Sequence, residues 1–148
     1  MRWARAAHDG VFLMIIGLGT DLCDIGRIEE TLKRFPGRFE ARLYTEREQQ
    51  RADRRPHKRA ERYAQMFAAK EACSKALGTG FRKGVFWRDM EVVPLPSGKP
   101  TLHITGGALR MMQELTPPGM QAAVEISLSD ESGLANAVVI IFAVPASP

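Results

Sequence analysis

The sequence predicts an α+β fold in which an antiparallel sheet packs against one long helix. Three observations carry that expectation. After a first apolar strand, the first half of the chain shows helical periodicity, whereas period-two alternation and apolar runs fill the last third. The later strand-like segments are separated by turn residues, without a linker, an internal repeat or a low-complexity stretch. With 148 residues, 45% of them hydrophobic, the chain suits a single domain able to bury a core of its own.

Ile15 to Leu22 reads as a buried strand that runs straight into a helix. From Asp24, the apolar residues Ile25, Ile28, Leu32 and Phe35 recur at helical spacing, and Pro36-Gly37 stops the run. Thr45-Glu46-Arg47-Glu48 matches a capping box and opens a short, very polar helix that Pro56 ends. The longest helix covers about Lys58 to Leu77 and closes at Gly78. Beyond Gly78-Thr79-Gly80 come strands at Met90 to Val93 and Thr101 to Ile104, joined by the turn Pro94 to Pro100. A short helix over Ala108 to Leu115 ends at Pro117-Pro118-Gly119. Ala123 to Ser129 alternates, with Val124, Ile126 and Leu128 on one face. Ala135 to Val144 is nearly continuous in its apolar character, and Asp130 to Gly133 makes the hairpin connection.

Residues 1–13 read as an extension outside the core, so that the domain is 14–148 and Met14 is a candidate start. Arg2 and Arg5 ahead of Val11 to Gly19 imitate a signal peptide, but Asp9 interrupts the approach and no small-x-small site follows. No stretch reaches the roughly 18–20 apolar residues of a membrane span. Cys23 and Cys73 lack any CxxC or Cys/His partner, which argues against a disulfide scaffold or a zinc site and fits a reducing, cytoplasmic setting. A formal charge of +4 permits an acidic partner or a phosphorylated ligand without making nucleic acid the default. The Arg-rich 47–62 stretch is interleaved with Glu46, Glu48, Asp53 and Glu61 and reads as a solvated helical face.

Two places invite chemistry. Asp21 follows Gly17-Leu18-Gly19-Thr20 at a strand end, either as a helix cap or as a carboxylate beside glycines that let a ligand come close. On the long helix, Tyr63, Met66, Phe67, Cys73 and Leu77 share an apolar arc, with Glu71 and Lys75 one turn apart at its border. Lys70 falls inside the arc, an odd place for an unpaired lysine. Glu71 and Lys75 read either as a surface pair or, with Asp21 and the glycines after Leu77, as a site for magnesium and phosphate. Magnesium takes one or two carboxylates plus phosphate oxygens and water.

Ile16-Gly17-Leu18-Gly19-Thr20-Asp21 with Ile25-Gly26-Arg27-Ile28, and the run Phe67 to Gly80 (FAAKEACSKALGTG), resemble the two signatures of the holo-[acyl-carrier-protein] synthase family of 4′-phosphopantetheinyl transferases. Leu43 to Glu48, Gly98-Lys99-Pro100 and Ser127-Leu128-Ser129 follow in the family's order, so the resemblance covers about Met14 to Val144. It implies that family's fold, a trimer with active sites between subunits, and transfer of phosphopantetheine from coenzyme A to a serine of apo acyl carrier protein. Adenosine 3′,5′-bisphosphate would leave. By the same resemblance Asp21 and Glu71 are the magnesium ligands and Lys75 is a catalytic lysine near the phosphates. Gly78, Gly80, Lys99, Pro100 and Ser129 line the coenzyme A groove, the last three from a neighbouring subunit. Arg27, Arg34 and Arg38 meet the carrier, a small acidic helical protein in fatty acid biosynthesis.

The sequence departs from the family at two places. Asp130 stands where many relatives have a histidine, so the proton acceptor is Asp130, a water, or no group at all; His8, His57 and His103 do not replace it. Met66 stands where relatives often have arginine, leaving Arg62 or Lys70 to contact phosphate. The rival readings are a non-catalytic basic adaptor for an acidic helical partner and a transferase serving polyketide or peptide synthase carriers.

Overall fold

Strand β1 (Met14–Asp24) passes without a break into helix α1 (Ile25–Arg34) because Asp24 caps it, its carboxylate accepting the Arg27 N–H at 3.1 Å. Helix α2 (Arg38–Leu43) follows Gly37; its six residues are too few for periodicity to announce it. Helix α3 (Glu46–Asp53) starts at the expected capping box, with both arms of Thr45 and Glu48 formed. A 3-10 turn (Pro56–Lys58) leads into α4 (Arg59–Leu77), which Gly78 ends at φ 76°. Then come β2 (Met90–Pro94), β3 (Pro100–Ile104), α5 (Gly106–Leu115), β4 (Met120–Glu131) and β5 (Leu134–Pro145). The structure is a computed structural model that describes residues 12–148. Of the expected extension only Phe12 and Leu13 are described, both exposed; the remainder, with His8, lies outside the described residues.

The main sheet is antiparallel in the order β1-β5-β4, and β2 and β3 form a separate ribbon. A two-residue turn links β4 to β5, with Ser132 at φ 52° and Gly133 at φ 79°, the type I′ geometry that matches strand twist. Along β5, Ala135, Ala137, Val139, Ile141 and Ala143 are buried toward α4. The intervening residues face the other way, where no element among the described residues covers the sheet. Leu18 and Leu22 of β1 are 60% and 67% exposed on that side. The apolar character of β5 suits burial on both faces; among the described residues only one is buried.

Helix α4 lies on β1 more closely than side chains would allow. A Cβ added at Gly19 would stand 1.8 Å from the Ala72 carbonyl oxygen, and one at Gly17 would stand 2.0 Å from that of Ala76. These two glycines therefore make room for the helix backbone, not for a ligand as the sequence reading allowed. Cys23 and Cys73 are free and buried near the same contact.

Lys70 resolves its odd position by being fully buried and fully paired. Its Nζ donates to Glu48 Oε1 (2.8 Å), Trp87 O (3.0 Å) and Met90 O (2.7 Å). Glu48, also fully buried, accepts from the backbone N–H groups of Thr45 and Val92 as well. Burial pulls the amine below the ordinary lysine value, and Glu48 opposes that shift. The residue ties α3, the segment before β2, and α4 together, so it is not available to a phosphate. Lys70→Met should cost about 3–5 kcal/mol in urea denaturation, because it strands the Glu48 charge in the core. Lys70→Met/Glu48→Met should recover roughly half of that or more. Equal stability of wild type and Lys70→Met would refute the pairing.

Candidate active site

Because Asp24 caps α1, Asp21 is free of that duty, and the sheet places it elsewhere. Asp21 pairs with Ala137 on the edge strand β1 and faces α4, where Lys75 Nζ reaches its Oδ1 at 3.0 Å and the Thr20 carbonyl at 2.9 Å. The Asp21 side chain is 16% exposed, that of Lys75 53%. Glu71, one turn before Lys75, is half-buried beside them. Burial, then the Asp21 carboxylate, raise the Glu71 carboxyl above its usual range, with Lys75 acting in the opposite sense. Among the described residues the Glu71 carboxylate has no hydrogen-bond or ion-pair partner. Two close carboxylates of which one has no partner suit a divalent cation. Among the described residues no group of three or more His, Cys, Asp or Glu side chains is placed to hold a metal ion, so the remaining ligands would come from substrate or water.

Gly78 and Gly80 follow at the end of the same helix. Their φ values of 76° and 57° require glycine, and their N–H groups are spent on the carbonyls of Lys75 and Ser74. Space beside both is open, with nothing within 4 Å of an added Cβ.

The other expected residues form a second group, which the single chain does not bring to Asp21. Pro100 and Gly98 line a groove of about 280 Å³ with Arg51, Arg62, Gln65 and the buried Met66. Lys99, beside them, pairs with Glu125 at 2.8 Å. Gln65 Nε2 donates to Asp130 Oδ1 at 2.7 Å, so Asp130 borders this group. By strand spacing, Asp130 lies about 12 Å from Asp21 on the same face of the sheet. Ser129 points to the opposite, uncovered face, in the row of Leu22 and Asn136. Arg51 and Gln65 escaped the sequence reading. Arg51 sits in a stretch whose mixed charges read as solvated, yet its guanidinium reaches the Val92 carbonyl. Arg62 does reach the groove, donating to the Arg51 carbonyl at 2.8 Å.

The basic residues of α1 and α2 border two further hollows. Arg27 lines a small one of about 170 Å³ with Ile28, Phe39 and Phe67. Arg38, with Thr31, Phe35, Phe39, Arg42 and Trp87, lines a groove of about 440 Å³. Arg34 lies over the Phe35 ring at 5.3 Å. Trp87 as a groove wall was legible only as one aromatic in the run Phe81 to Arg88.

Comparison with known proteins shows the family and the fold. Residues 17–125 match the family described as the 4′-phosphopantetheinyl transferase superfamily. The holo-[acyl-carrier-protein] synthase of Phenylobacterium zucineum is 58% identical over 135 residues, covering 91% of this chain and 97% of that protein. The crystal structure of the synthase from Neisseria meningitidis superposes with a TM-score of 0.75 at 33% identity, covering 86% of this chain and 98% of that one. That of the Helicobacter pylori synthase, in complex with coenzyme A, gives 0.71 at 30% identity over 84% and 98% of the two chains. The chain thus belongs to the holo-[acyl-carrier-protein] synthases of the 4′-phosphopantetheinyl transferase superfamily.

Proposed function

We propose that this chain transfers 4′-phosphopantetheine from coenzyme A to a serine hydroxyl of apo acyl carrier protein, using magnesium held by Asp21 and Glu71. The observation that carries the reading is the carboxylate pair at the open sheet edge, with the Lys75 ammonium 3.0 Å from one of its members. Bound magnesium would neutralise the diphosphate of coenzyme A and ease departure of adenosine 3′,5′-bisphosphate. Lys75 adds a point charge where negative charge gathers on the leaving group. The serine oxygen forms its bond to phosphorus as the bond to the bisphosphate oxygen breaks, and the serine proton passes to Asp130, whose carboxylate Gln65 orients.

In one chain Asp130 stands about 12 Å from Asp21, too far for both to act on one phosphorus atom and its nucleophile, and Ser129 faces the opposite side of the sheet. A second copy supplies Asp130, Ser129, Lys99 and Pro100 in the trimer that we infer. The uncovered sheet face, with Leu18 and Leu22 among its apolar residues, is the surface such an assembly would bury. Arg51 and Arg62 beside Pro100 offer charge for the nucleotide's phosphate in place of the arginine that Met66 replaces. Gly78 and Gly80 leave the approach to Lys75 open. Arg27, Arg34 and Arg38 steer and orient the acidic carrier beside the apolar grooves of α1 and α2. The domain performing this is 14–148. No described helix is long and apolar enough to cross a membrane, and we place the reaction with its substrates in the cytoplasm.

Intact mass spectrometry of an apo carrier incubated with coenzyme A and magnesium should show the gain of one phosphopantetheine, abolished by chelator. Absence of the shift across fatty-acid, polyketide and peptide-synthase carriers would overturn the reading. Asp21→Ala and Glu71→Ala should each lower kcat/KM by about 100-fold or more with an unchanged circular dichroism spectrum, and full activity in either would remove it as a ligand. Leu22→Glu should convert a trimer into monomers by light scattering and abolish turnover; an active monomer would sink the shared site. Arg27→Glu should raise KM for the carrier about tenfold and leave that for coenzyme A unchanged, whereas equal changes in both would argue against docking.

A further inference from the structure

Residues 81–88, between the Gly78–Gly80 turn and β2, take no part in the chemistry above, yet they are held in place by several contacts. Phe81 stacks on Trp87 with ring centroids 3.8 Å apart, and Lys70 grips the Trp87 carbonyl. Asp89 accepts the Phe86 N–H at 3.0 Å and the Ala108 N–H at 3.3 Å, while Val85 is buried. What this fixed loop presents to solvent is an aromatic ring among cations. Phe86 is 67% exposed, and Arg82, Lys83 and Arg88 around it are exposed without a carboxylate partner among the described residues. Trp87, between Phe86 and Arg88, forms a wall of the groove that also holds Arg38, so the loop continues the basic surface of α1 and α2.

A preordered aromatic gives contact area at little entropic cost, and unpaired cations around it select an acidic surface. The charges flank a protruding ring and do not converge in a hollow, which favours a protein surface over a nucleotide. We propose that residues 81–88 form a second docking surface for the acyl carrier protein, with Phe86 against an apolar side chain of the carrier and Arg82, Lys83 and Arg88 against its carboxylates. The proposal rests on the reading of the carrier as second substrate. Contact through α1 alone would let the carrier pivot about one helix; a contact from a separate element fixes its rotation and so the line of approach of its serine.

The test uses the full chain with coenzyme A and apo carrier. Phe86→Ser and Arg82→Glu/Arg88→Glu change only exposed side chains, and thermal melts should match wild type. Each should raise KM for the carrier about tenfold while KM for coenzyme A and kcat at saturating carrier stay within about twofold. An unchanged carrier KM in both variants overturns the proposal. So does loss of binding to phosphatidylglycerol-containing vesicles with the carrier KM unchanged, which would make the loop a lipid contact. Wild-type protein inactive on every carrier would instead remove the transferase reading itself, so the two failures are distinguishable.

Discussion

The closeness of α4 to β1 is the constraint on which the site depends. A helix normally sits on a sheet at a distance set by side chains; here two glycines remove them, and the helix backbone comes into contact with the strand. Asp21 lies two residues beyond the second glycine, and Glu71 lies one residue before Ala72, whose carbonyl the strand touches. The carboxylates are neighbours because the backbones are. Any side chain at Gly17 or Gly19 would lift the helix and move Glu71 and Lys75 away from Asp21 together, so the conformational freedom of glycine is secondary here to its lack of bulk.

A second constraint holds the helix in rotation. Lys70 and Glu71 are adjacent, about 100° apart around the axis, and one is in the core because the other faces the site. The buried amine fixes α4 to α3 and to the segment ahead of β2, which is also where the loop bearing Trp87 is anchored. One side chain thereby sets the orientation of the face that bears Glu71 and of an outer wall of the α1–α2 groove.

Much of this was legible in the sequence, for identifiable reasons. The Thr45 capping box, the Gly78 stop and the Ser132-Gly133 turn are local, so their residues declare them. The pairing of Asp21 with Glu71 was legible through the two signature runs, and Lys70 announced itself as a charge in an apolar arc. What stayed hidden depends on long-range placement. Helix α2 is too short to show a period, Arg51 looks solvated until β2 is seen beside it, and adjacent residues Ser129 and Asp130 part company only when the pleat assigns them to opposite faces. That Asp24 and not Asp21 caps α1 likewise needed the helix start, which spacing fixes only to within a few residues.

The pairing of β1 with β5 joins Met14 to Ala143, nearly the two ends of the described chain. During synthesis from the N-terminus, β1 therefore emerges long before the strand that completes it, and its apolar residues wait while the whole stretch between Asp24 and Leu134 is made. Helical turns and the β2–β3 ribbon can form from neighbours in sequence, but the strand carrying Asp21 acquires its ladder only from β5. Contacts of such sequence separation close slowly. The corner that bears Asp21 is thus completed by a strand far from it in sequence, and a chain cut before β5 would lack not a peripheral tail but the central strand of its sheet.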